Sequence, residues 1–92
     1  MNVKFIGIPR QRTRKYSIQF VSVTSKLSDL LEEVVEAYDL GDILLTETGQ
    51  VRPYVRILVN GRSFQFVGDM DTELHDGDTL ALIYPWLGHE DF

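Results

Sequence analysis

The sequence predicts an α+β fold, with one main helix packed on one face of a mixed sheet of four to five strands, and three observations carry that prediction. Apolar residues recur with a helical period in one segment only, at Leu27, Leu30, Leu31, Val34, Val35 and Tyr38. Short β-branched and aromatic runs lie on both sides of that segment, separated by turn residues. The resulting order of hairpin, helix and further strands mixes local pairing with one crossover, the pattern of one sheet covered by one helix.

Residues 3–8 form the first strand, closed by Pro9, and residues 16–23 the second, where Ile18 and Phe20 alternate with Ser17 and Gln19. The basic stretch 9–15 is the expected turn between them, a charged hairpin unsuited to edge pairing and a candidate docking element for an acidic partner. The helix begins near Leu27, with Ser25 or Ser28 as its cap, Asp29 and Glu32 favourable to the positive end of its dipole, and Gly41 as its stop. Residues 41–53 read as a connecting loop whose Ile43, Leu44 and Leu45 anchor under the helix. Residues 54–59 form a strand that meets Asn60-Gly61, the dipeptide suited to a tight hairpin, and 62–67 return as its partner. After the turn at Asp76-Gly77-Asp78, residues 79–84 form the last strand, ended by Pro85. The chain reads as one domain over residues 1–92, with 85–92 as a tail.

Composition removes several classes of function. The absence of cysteine excludes disulfides, thiolate nucleophiles and cysteine-ligated metal. A net charge of -5 argues against nucleic acid as a partner. No apolar run approaches the roughly 20 residues of a membrane helix, so no membrane role is expected. The start lacks a charged region leading into a longer apolar one, which points to a chain retained in the cytoplasm. Charge is nevertheless polarised: Arg10, Arg12, Arg14 and Lys15 crowd one segment, and Asp69, Asp71, Glu73, Asp76 and Asp78 another. His75 among those acids matches no metal-loop spacing and reads as part of a solvated turn. No catalytic residue, metal site or cofactor is expected.

The run Val55-Arg56-Ile57-Leu58-Val59-Asn60-Gly61, then Leu74-His75-Asp76-Gly77-Asp78, an apolar strand and Pro85 resembles the MoaD/ThiS group of sulfur carriers. The resemblance implies a ubiquitin-like β-grasp fold and a protein that acts through partners. Carriers of this group end in Gly-Gly, and a partner enzyme adenylates the terminal carboxylate before it becomes a thiocarboxylate. Glycine serves there because a tail without Cβ threads a narrow channel. Here Pro85, Trp86, Leu87 and Gly88 follow the family spacing, but His89 replaces the second glycine and Glu90-Asp91-Phe92 extends beyond it.

The resemblance therefore implies Gly88 as the candidate thiocarboxylate position after processing, and residues 85–88 as the partner-binding tail. The implied partners are an adenylating enzyme or the large subunit of molybdopterin synthase, in molybdopterin, tungstopterin or thiamine-type cofactor synthesis. The other reading is an interaction subunit that binds a larger enzyme without acyl transfer. Trp86 suits either a recognition role or a lid over the open end of a small core. Strand alternation supplies a second candidate surface: with Val55, Ile57 and Val59 facing the helix, Tyr54, Arg56 and Leu58 face away and join Ile6 and Ile83.

Overall fold

A computed structural model describes residues 1–20 and 26–84. Five strands form one sheet, β1 (Asn2–Gly7), β2 (Ser17–Gln19), β3 (Arg56–Val59), β4 (Arg62–Ser63) and β5 (Thr79–Tyr84), in the spatial order β2-β1-β5-β3-β4. The central strands β1 and β5 run parallel, while every other pairing is antiparallel. This is the β-grasp arrangement that the element order predicts. Residues 21–23, expected to continue β2, lie outside the described residues.

Residues 9–15 are not a plain turn but hold a short helix, α1 (Ile8–Thr13), which stops at Arg14 with a left-handed φ of 60°. Proline is compatible with a first helical turn, whose amides lack intrahelical acceptors, and Pro9 is buried. Six residues are too few to be stable alone, so tertiary bonds hold this helix. Arg12 Nη1 donates to the Asp39 carbonyl at 2.7 Å and to Asp42 Oδ1 at 3.2 Å, and its Nη2 donates to Asp42 Oδ2 at 3.3 Å. Those hydrogen bonds hold the Asp42 carboxyl below the usual carboxylate range, with burial opposing them and the guanidinium charge assisting.

The main helix, α2 (Leu27–Tyr38), falls where the apolar period places it. Lys26 stands at its N-cap without a side-chain capping bond; Ser28 lies inside the helix, and Ser25 falls outside the described residues. The free Leu27 amide instead donates to the Thr72 carbonyl at 2.9 Å. Asp39, not Gly41, ends the helix, with a left-handed φ of 56° that aspartate tolerates better than most residues. Gly41 opens α3 (Gly41–Leu44), a single turn inside the expected loop that buries Ile43 and Leu44.

Asn60 and Gly61 take φ values of 53° and 86°, as a tight hairpin between right-twisted strands requires. The returning strand is only two residues long, because Phe64 turns into the core and takes the chain out of the ladder into 3₁₀ turns at Phe64–Phe66 and Asp69–Asp71. One apolar cluster joins Leu27, Leu30, Leu31 and Val34 of α2 to Val3, Phe5, Ile57, Val59, Leu80 and Leu82 of the sheet. Phe5 also meets Tyr38 edge-on, with ring centroids 5.5 Å apart. Leu31→Ala is expected to cost about 2–5 kcal/mol in urea unfolding, since Leu31 is 4% exposed and its loss leaves a cavity.

Candidate functional site

The sheet face opposite α2 carries the candidate surface, and strand register decides which residues meet there. Ile6 pairs with Ile83 across β1 and β5, and Ile83 pairs with Arg56 across β5 and β3, so these three stand side by side in one row. In the next row Lys4, Ala81 and Leu58 are aligned. Alternation puts Val3, Phe5, Ile57, Val59, Leu80 and Leu82 on the buried side. Ile6 is 37% exposed, Leu58 and Ile83 are half-buried, and Arg56 is exposed, which gives an apolar strip with a cation on either side.

Tyr54 lies before β3 rather than within it, and is 40% exposed. Its ring meets Tyr84 edge-on, with centroids 5.1 Å apart, at the end of β5 from which residues 85–92 depart. A hydrogen bond with the Tyr54 hydroxyl, followed by burial, raises the Tyr84 hydroxyl above the usual phenol value. Beside Tyr84, Gly7 takes a φ of 81° at the end of β1 and lies against the Tyr84 backbone carbonyl. Sequence reading passed over Gly7, although a glycine two residues before a proline at the end of a strand is the available signal. The candidate tail residues Pro85, Trp86, Leu87 and Gly88 lie outside the described residues.

The Leu74–Asp78 motif has a structural explanation. Asp78 Oδ1 accepts from the Asn60 side-chain amide at 3.0 Å, and its Oδ2 accepts from the His75 backbone amide at 2.8 Å. Asn60 Oδ1 in turn accepts from the Thr79 amide at 2.9 Å, so one carboxylate and one carboxamide tie the β3–β4 hairpin to the start of β5. Bonds from Asn60, then from the His75 backbone, hold the Asp78 carboxyl below its ordinary value. Its contribution is complete above the unfolded carboxylate value, about 4, and is lost as pH falls through the lower folded value. Asp78→Ala is expected to cost about 1–3 kcal/mol, and Asp78→Asn to flatten the acid limb of a pH series of urea midpoints below pH 4. An unchanged acid limb would remove Asp78 from this role.

Among the described residues no group of three or more His, Asp or Glu is arranged to hold a metal ion. Phe66 is 79% exposed on its 3₁₀ turn, an aromatic protrusion outside the predicted face, and no sequence pattern marks it. No helix among the described residues is long and apolar enough to cross a membrane.

The profile of the ThiS family matches residues 3–88. The chain belongs to the ThiS family. Small archaeal modifier protein 3 of Haloferax volcanii is 30% identical over 89 residues, covering 96% of this chain and 97% of that protein. The solution structure of Urm1 from Trypanosoma brucei is 32% identical with a TM-score of 0.75, over 95% of this chain and 92% of that one. Crystalline SAMP1 from Haloferax volcanii superposes with a TM-score of 0.79 at 21% identity, covering 96% and 97% of the two chains, a likeness of fold. The family is the one that the Asn60-Gly61 and Leu74–Asp78 motifs resemble, and these relatives are small ubiquitin-like proteins.

Proposed function

We propose that this ThiS-family chain is a sulfur carrier in molybdopterin, tungstopterin or thiamine-type cofactor synthesis, and that its acyl handle is a Gly88 carboxylate freed by removal of residues 89–92. The observation that carries the reading is where the family correspondence stops, at residue 88 of 92. Hydrolysis of the Gly88–His89 bond gives the carboxylate. On the adenylating partner that carboxylate attacks the α-phosphorus of ATP and pyrophosphate leaves; a sulfur nucleophile then displaces AMP. The chain supplies no catalytic residue and no cofactor. It offers an unhindered glycine carboxylate and a docking surface, in the cytoplasm, to an adenylating enzyme or a molybdopterin synthase large subunit.

In this reading Ile6, Tyr54, Arg56, Leu58 and Ile83 dock the partner while Pro85, Trp86 and Leu87 lead Gly88 into its active site. An apolar strip loses water on docking, and the flanking charges set orientation. Intact mass of the chain isolated from its own cells tests the proposal: a species ending at Gly88, with one oxygen replaced by sulfur, is expected. A chain found only with Phe92 in place, functioning unchanged as Gly88→Ala, would instead establish a ubiquitin-like interaction subunit without acyl transfer. His89 at the second glycine position and the bulk of Trp86 favour that second reading.

A further inference from the structure

The margin of the docking face holds a feature that neither the family motifs nor the apolar strip explains. Because β4 pairs for only two residues before Phe64 turns inward, a cavity of about 500 Å³ opens beside β3. Arg52, Tyr54, Arg56, Leu58, Ser63 and Gln65 are among its lining residues. The full lining contains two arginines and no carboxylate, on a chain with 14 acidic residues and a net charge of -5.

The two arginines differ in their commitments. Arg52 Nη2 donates to the Asp42 backbone carbonyl at 3.2 Å, a single bond that anchors the side chain and leaves its other donors for a ligand. Arg56 is exposed and takes part in none of the salt bridges among the described residues. Arg12, by contrast, already has carboxylate partners in Asp39 and Asp42. A planar guanidinium recognises a carboxylate by two parallel bonds, and the leucine and tyrosine beside Arg56 accommodate the apolar part of the same ligand.

We propose that this groove takes an extended acidic segment of the partner protein, with glutamate or aspartate side chains against Arg56 and Arg52 and an intervening apolar side chain against Leu58 and Tyr54. The inference rests on the docking role of this face, since Arg56 stands beside Ile83 in the same row. It names the chemistry of the partner: an acidic strand-like stretch aligned along the β3 margin. A peptide is favoured over a phosphate group because half of the groove is apolar.

The test uses the full chain, labelled with ¹⁵N, and two acetylated and amidated hexapeptides, one alternating glutamate with leucine and one alternating lysine with leucine. The glutamate peptide is expected to shift the amides of residues 52, 54–58 and 63–65 saturably, with affinity falling as salt rises. Arg56→Glu is expected to weaken it at least tenfold, and Arg56→Lys to retain part of the binding. Equal shifts from both peptides, saturation by inorganic phosphate at the same amides, a response confined to residues 12–15, or unchanged binding by Arg56→Glu would each overturn the assignment. No step involves ATP or Gly88. Failure therefore leaves the carrier reading standing, and a chain that is never processed at Gly88 leaves the groove standing.

Discussion

Gly7→Ala is expected to lower stability by about 3 kcal/mol or more, enough to leave much of a small domain unfolded at moderate temperature. Two costs combine at this position. The φ of 81° belongs to a region that costs a residue with a Cβ about 1–2 kcal/mol. In addition, an added Cβ would overlap the Tyr84 backbone carbonyl oxygen, so β1 and β5 would have to part at the end of their ladder. Gly49→Ala isolates the first cost, since Gly49 has a φ of 86° and nothing within 4 Å of its would-be Cβ. Paired urea melts decide the matter: Gly7→Ala should lose clearly more than Gly49→Ala, and equal losses would show that the close approach to Tyr84 carries no energy. The position bears on the proposed function as well, because Tyr84 is the residue that precedes the candidate tail.

What sequence made legible here was what repeats or what has a local chemical signature. The α2 period spans 12 residues with Leu27, Leu30, Leu31 and Val34 on one side, and Asn60-Gly61 names its own turn, so both elements lie where they are expected. The row of Ile6, Ile83 and Arg56 was also legible, because strand alternation needs only parity once the helix covers one face. Elements held by distant partners were not. Helix α1 depends on bonds between Arg12 and Asp42, 30 residues apart, and nothing within residues 8–13 records that partnership. The short β4 follows from burial of the Phe64 ring, a tertiary event that strand propensity does not encode. The groove beside β3 exists only because β4 is short, so it too was invisible from the residues alone.

The architecture also supports the docking role proposed for the β3 end of the sheet. Asp78 and Asn60 fix the hairpin at one end of β3, and Gly7, Tyr84 and Tyr54 crowd the other, so the face between them is presented on strands tied at both ends. A surface already ordered before it meets a partner loses less conformational entropy on binding.

Ile83→Asp should then have the largest effect on partner capture of any change on this face. Ile83 is the middle member of its row, between Ile6 on β1 and Arg56 on β3, and a central interface position is where truncations cost most. A carboxylate there removes apolar area, must be desolvated on docking, and forms an internal pair with Arg56 that withdraws the guanidinium from the partner. Together these effects reach about 2 kcal/mol or more, so KM for this chain in pyrophosphate exchange by the proposed adenylating partner should rise roughly 30-fold or more. The fold should survive, because Ile83 lies outside the buried cluster and the strand retains Leu80 and Leu82 within it. Glu36→Arg, exposed on α2 on the other side of the sheet, should leave KM unchanged and so separates a local surface effect from a general effect of charge. A normal KM for Ile83→Asp would place the docking surface elsewhere, with exposed Phe66 the next residue to change. A loss of cooperative melting would instead show that Ile83 belongs to the core and that the outer row is not a free surface.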